Sequence, residues 1–148
     1  MIEVLQSPIH GHGVFALRRI RKGREIIDYR GKLLTHDEAD DREPDTGHTF
    51  LFILNEHYVI DAGQGGNEAR FVNHSCQPNC VAYWIESKQD PKQDRIVIEA
   101  LRDIAPGEEL TYDYRIEVDE PITRRERQMW ACYCGSPRCR GTMLRKKS

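Results

Sequence analysis

No apolar run in this 148-residue chain is long enough to cross a bilayer; Phe50-Leu51-Phe52-Ile53-Leu54 stops far short of the ~20 residues required. No basic stretch followed by a long apolar one comes after Met1, so no secretory signal is expected. Charge of one sign is missing too. Lys and Arg number 22 against 24 Asp and Glu, a net charge of −2, which argues against a nucleic-acid binder held by a strong basic field. Without an export signal, five cysteines, an odd number, do not read as a disulfide scaffold; metal binding or catalysis is the better expectation. With 39% hydrophobic residues the chain is too apolar for a disordered one, and its length fits one domain with at most a small appendage.

What is present is mostly strand-like sequence broken by turns. Val14–Leu17, Glu25–Tyr29 and Thr49–Leu54 read as strands, with Lys22-Gly23 and Arg30-Gly31 between them. Val81–Ser87 and Arg95–Leu101 read as a hairpin, although the second shows little separation of faces. Ala105-Pro106-Gly107 turns the chain into Leu110–Tyr114. Helical signals are few. Thr35-His36-Asp37-Glu38 fits a capping box opening a helix as far as Glu43, Asn67–Val72 a single turn, and Thr123–Trp130 a linker helix. The expected organisation is a mainly-β domain over 1–118 and a linker with a metal-held tail over 119–148.

Cys132, Cys134 and Cys139 place three thiols within eight residues, with Gly135 and Pro137 supplying the sharp turn. A closed zinc site needs four ligands, so one distant cysteine would complete it and pin the tail to the body. Spacing leaves both Cys76 and Cys80 open as the fourth. The segment from Arg70 to Cys80, with Asn73, His74, Ser75 and Asn79, concentrates hydrogen-bonding side chains between apolar strands. Alone it reads as a polar turn, or less well as a Cys/His nucleophile pair.

Taken with Gly11-His12-Gly13-Val14-Phe15 before it, and with Gly107-Glu108-Glu109-Leu110-Thr111-Tyr112-Asp113-Tyr114 and the cysteine tail after it, this loop resembles the SET-domain protein lysine methyltransferases. The tail is similar to that family's post-SET segment. The resemblance implies a SET-type β-clip of short curled sheets, with a variable insert at about 36–62. It also implies a pseudoknot in which the Asn-His-Ser-Cys segment threads beneath the Leu-Thr-Tyr-Asp-Tyr segment, an exception to the rule of unthreaded connections. By the same resemblance Cys76 is the fourth ligand, joining Cys132, Cys134 and Cys139 around Zn2+, and Cys80 is left as a buried apolar residue.

The activity implied is transfer of a methyl group from S-adenosylmethionine to a lysine side chain. Gly11, His12, Gly13, Arg70, Asn73 and His74 match cofactor-contacting positions. Tyr29, Tyr112 and Tyr114 match the tyrosines that line the lysine channel, with Phe50 nearby. Tyr114 would orient the amine, and Tyr112 resembles the tyrosine/phenylalanine switch that sets the product's methylation state. The expected substrate is a histone or another basic protein, with no direct nucleic-acid or membrane partner. The acidic run Asp37–Asp45 lies in the variable insert, where it would face such a substrate. The motif set starts close to Met1 with no cysteine-rich segment ahead of it, which resembles stand-alone members or an excised catalytic core. The expected location is intracellular: cytoplasmic in a prokaryote, nuclear or chromosomal in a eukaryote or where host histones are the substrate. A zinc-stabilised binding module of the same fold without turnover is the alternative function.

Overall fold

Short strands carry nearly all the regular structure. The computed structural model describes residues 1–9, 11–41, 50–118 and 123–146. In chain order the strands are β1 (Ile2–Gln6), β2 (His12–Ala16), β3 (Glu25–Asp28), β4 (Lys32–Thr35), β5 (Leu51–Ile53), β6 (Tyr58–Asp61), β7 (Asn73–His74), β8 (Cys80–Ile85), β9 (Arg95–Ala100), β10 (Glu109–Tyr112), β11 (Ile116–Val118) and β12 (Leu144–Lys146). The α-helices are α1 (His36–Asp40) and α2 (Arg124–Met129). The strands form four small sheets, in the orders β1-β2-β10-β7, β3-β9-β8, β4-β6-β5 and β11-β12.

The weak face separation of β9 has a physical cause. It is the central strand between β3 and β8, and Ile96, Val97 and Ile98 are all buried, so neither face meets water. Val14, Ala16, Val72, Leu110 and Ile104 join Ile98 in one core that runs beneath three of the sheets. The capping box forms as expected: Glu38 N–H donates to Thr35 Oγ1 at 3.2 Å, and Thr35 N–H donates to Glu38 Oε1 at 3.0 Å. Asn67 opens a 3-10 turn over Glu68–Phe71 by accepting from Ala69 N–H at 3.2 Å. The expected strands and hairpin are present, displaced by a residue or two at their ends. Strands β1, β4, β6, β7, β11 and β12 were not foreseen. Helix α1 ends at Asp40 with Asp41 as its C-cap, short of the expected Glu43. The strand start at Thr49, positions Arg42, Glu43 and Asp45 of the acidic run, and linker positions 119–122 lie outside the described residues.

Two pairings place the site. β10 runs antiparallel to β2 on one side, and on the other parallel to β7, with Thr111 opposite Asn73 and Tyr112 opposite His74. This second pair is the threaded crossing. Past the end of β7, Asn79 continues the job of a strand with its side chain. Its Nδ2 donates to Glu109 O at 2.8 Å, and its Oδ1 accepts from Thr111 N–H at 2.9 Å. Asn79→Ala would strand two backbone groups in a dry interior, at a cost on the order of 3 kcal/mol. A urea denaturation midpoint reads this, and an unchanged midpoint would refute the account.

Candidate active site

The segment after the 3-10 turn enters the core, and Asn73 and His74 are buried polar residues whose partners come from far along the chain. Asn73 Nδ2 donates to His12 O and to Glu109 Oε2, each at 2.9 Å. Glu109 also accepts from Ser7 Oγ at 2.8 Å, so three distant segments are tied at one carboxylate. Gly13 makes this possible, since a Cβ there would collide with the Glu109 carboxylate and with Ser7. Gly11, at φ +45°, turns the chain in the left-handed region with open space around it.

His74 is held neutral. Burial pulls its pKa down to about 4, although the Asp113 carboxylate pulls the other way. Its Nδ1 accepts from Tyr114 N–H at 3.0 Å, which assigns the ring proton to Nε2. That nitrogen faces Cys76 Sγ at 3.5 Å. The 3.7 Å approach of Nδ1 to Asp113 is therefore a contact and not an ion pair.

Four aromatic rings gather beside this knot. Tyr112 and Tyr114 stand 4.9 Å apart, Tyr29 and Phe52 5.0 Å, and Phe52 and Tyr112 6.2 Å, centroid to centroid. Tyr114 donates its hydroxyl to Val72 O at 2.6 Å, and Tyr29 donates its own to Phe50 O at 2.9 Å. Both oxygens thus keep their lone pairs for an incoming donor. Tyr112 donates to no group among the described residues. Burial lifts all three phenols well above their ordinary pKa, so each stays a neutral hydroxyl. Next to them, the Arg70 guanidinium lies 4.7 Å from the Phe71 centroid and 5.7 Å from that of Phe50. Its NH1 donates to Ala62 O at 3.3 Å, while its buried Nε has no partner among the described residues.

The thiols of Cys76, Cys132, Cys134 and Cys139 lie within 4.8 Å of one another and could hold a metal ion. The Cys76–Cys132 sulfur separation is 3.8 Å, which matches the edge of about 3.8 Å expected of a tetrahedron with 2.3 Å bonds. Arg140 N–H donates to Cys76 Sγ at 3.3 Å and Gly141 N–H to Cys139 Sγ at 3.4 Å, bonds that suit thiolates. Four sulfur donors with this outer shell fit zinc. Cys80 stays away, buried in the core, where its thiol is pushed up to about 12. The tail is clasped further by Arg140, whose guanidinium meets Asp113 at 3.2 and 3.4 Å, and by the parallel pairing of β11 with β12.

Comparison with known proteins gives this arrangement its family. The SET domain family matches residues 11–115. The chain belongs to the SET-domain family. It is 42% identical over 140 residues to the "Histone-lysine N-methyltransferase, H3 lysine-4 specific" of Schizosaccharomyces pombe, covering 91% of this chain and 14% of that protein. It is 41% identical over 145 residues to "Histone-lysine N-methyltransferase ATX2" of Arabidopsis thaliana, covering 93% of this chain and 12% of the relative. A Saccharomyces cerevisiae protein named like the first is 42% identical over 141 residues, with 92% and 12% covered. The SET domain described here thus spans about one seventh or less of these relatives.

The structure brings the backbone of His12 and the side chains of Asn73, His74, Tyr112 and Tyr114 together, sets Tyr29 and Arg70 beside them, and gathers Cys76, Cys132, Cys134 and Cys139 in the cluster, while Cys80 lies in the core. His12 contributes its carbonyl to the knot, while its exposed ring lies 5.7 Å from that of Phe71. Phe50 packs toward Arg70 and Phe71, and its carbonyl anchors Tyr29. Sequence reasoning missed Ser7, Phe52, Asp113 and Arg140, and gave Glu109 no role. Only Phe52 carried a usable signal, as an aromatic two residues from Phe50 in the expected strand Thr49–Leu54. For the cluster, Cys76→Ser is expected to abolish bound zinc in a chromogenic chelator assay and to open residues 131–144 to protease. Cys80→Ser is expected to keep the metal, and a metal-free Cys80→Ser protein that is still folded would overturn the assignment.

Proposed function

We propose that this SET domain transfers a methyl group to the side-chain nitrogen of lysine in a basic protein, a histone tail being the favoured substrate class. The observation that carries the reading is the ring of Tyr29, Phe52, Tyr112 and Tyr114, whose two anchored hydroxyls turn acceptor lone pairs away from the backbone they bind. Apolar rings suit a lysine's methylene stem and attract an ammonium or methylammonium head. The relatives' names, which specify histone lysine and in two cases H3 lysine-4, support the same substrate class.

S-adenosylmethionine, the methyl donor implied by the family, supplies an electrophilic methyl on a sulfonium. Residues fit for it are on hand: Arg70, a half-buried cation whose buried Nε–H has no partner among the described residues, suits a ligand that bears a carboxylate. The backbone of Gly11, His12 and Gly13 and the side chains of Asn73 and His74 would complete its seat. Tyr114 orients the lysine amine, and its own orientation is set twice, by Val72 O and by the N–H bond to His74. The lysine must shed a proton before it attacks. His74 Nδ1 is already an acceptor for Tyr114, Glu109 is occupied by Ser7 and Asn73, and Asp61 accepts from Gly63 and Gln64. With these candidates engaged, the proton leaves to water, helped by desolvation of the amine. Cys76, Cys132, Cys134 and Cys139 would hold a structural zinc ion, and Cys76 would thereby fix the tail to the body. Action on histones would place the protein at chromatin.

The test is calorimetric binding of S-adenosylmethionine together with labelled methyl transfer onto mixed histones. Tyr114→Phe is expected to lower kcat roughly 100-fold with cofactor affinity retained. No cofactor binding would sink the reading, and binding without transfer to any basic protein would favour a binding module. Tyr112→Phe is expected to shift products, read by mass spectrometry, from mono- and dimethyl-lysine toward trimethyl-lysine. An unchanged product distribution would remove the switch from Tyr112.

A further inference from the structure

A cleft of about 570 Å³ opens between the β5–β6 turn at Asn55–His57 and the connection from β8 to β9. No role assigned so far uses it. One wall is the Trp84 indole, 52% exposed although it is among the largest apolar groups in the protein. The ring is not loose. Its Nε1 donates to Asp94 Oδ2 at 2.9 Å, and the same carboxylate accepts from Asn55 Nδ2 at 2.9 Å and from Ser87 N–H at 2.7 Å. Asn55 Nδ2 also reaches Pro91 O at 2.9 Å, so both rims are stapled through buried Asp94. The cleft is therefore preformed and presents an aromatic face in a fixed place.

Its charge is one-sided. Glu56, Glu86 and Asp94 line it, and among the described residues no Lys or Arg does. Asp94 is consumed by the staple, but the two glutamates are exposed at the rim. Glu86 has no hydrogen bond or ion pair among the described residues, and Glu56 meets His57 at 3.6 Å. A ring face beside carboxylates suits a guanidinium or ammonium, whose methylene stem would lie on Leu54 and Pro91. The cleft is also close to the aromatic ring of the active site. Leu54 follows Phe52 by two residues, about 7 Å along an extended chain.

We infer that this cleft is a second docking site for the protein substrate, binding an Arg- or Lys-bearing extended segment that flanks the methylated lysine. The identity of the peptide as substrate rests on the methyltransferase reading; the cation-binding cleft does not. Charge complementarity commits the occupant to a basic peptide, against an acidic peptide or a second copy of the chain.

The probe is a fluorescently labelled peptide of alternating Arg and Ala with no lysine, titrated by anisotropy against the full chain in low salt. Glu56→Gln combined with Glu86→Gln, two exposed changes that spare the fold, is expected to weaken binding at least tenfold. Trp84→Ala is expected to do the same, and an Asp/Ala peptide is expected not to bind. In methyl transfer to a lysine peptide with flanking arginines, the double glutamate variant is expected to raise KM with kcat held. Absence of binding, equal affinity for wild type and the double variant, or self-association in sedimentation that Trp84→Ala abolishes would each overturn the inference. Anisotropy needs neither cofactor nor turnover, so an inactive enzyme that binds through Glu56 and Glu86 refutes the function and leaves the cleft. An active enzyme whose KM ignores both glutamates does the reverse.

Discussion

A parallel pairing two residues long, Asn73 and His74 against Thr111 and Tyr112, is the constraint on which the rest of this SET domain depends. By itself so short a ladder is worth little. Its strength comes from side chains that extend it in both directions: Asn79 toward Glu109 and Thr111, Asn73 toward His12 and Glu109, and Tyr114 back to Val72 and His74. Each of these bonds is made away from bulk water, where a lost partner costs more than a made bond returns. Register at the crossing is thereby fixed, and with it the positions of Tyr112 and Tyr114.

The same crossing carries the link to the tail. Cys76, His74 and Tyr114 form a chain of contacts from a thiol, through both nitrogens of a neutral imidazole, to the backbone of Tyr114. Arg140 closes a second connection by joining Cys76 through its N–H and Asp113 through its guanidinium. The cysteine cluster is thus mechanically continuous with the aromatic ring, and a metal held there would stiffen both.

Much of this was legible because the informative residues are contiguous: Asn73-His74-Ser75-Cys76 and Leu110-Thr111-Tyr112-Asp113-Tyr114 are strings that can be read without a fold. The capping box at Thr35 and Glu38 is equally local. Ser7 could not be read, because its partner Glu109 lies 102 residues away and no periodicity connects them. β1 was hidden by its exposure, since Ile2 and Val4 are only half-buried and Glu3, Leu5 and Gln6 face water. The choice between Cys76 and Cys80 could not be made from spacing, since both lie far from the tail. The structure separates them by direction, one thiol facing the tail's cysteines and the other the core. Trp84 was read as a strand residue and is one, but the open stance of its ring could not be read, because Asn55 and Asp94, which hold it, are brought there by the fold.

The hairpin of β8 and β9 also bears on how a threaded chain can form at all. It zips Cys80 against Ala100, and just beyond it Leu101 N–H donates to Asn79 O at 2.8 Å. Once that hairpin exists, some twenty residues drop out of the loop that must close between β7 and β10, and what remains is a few residues at each end. Loop entropy for the crossing then falls to that of a short connection. A topology that looks costly as a drawing then needs only a local hairpin and one small closure.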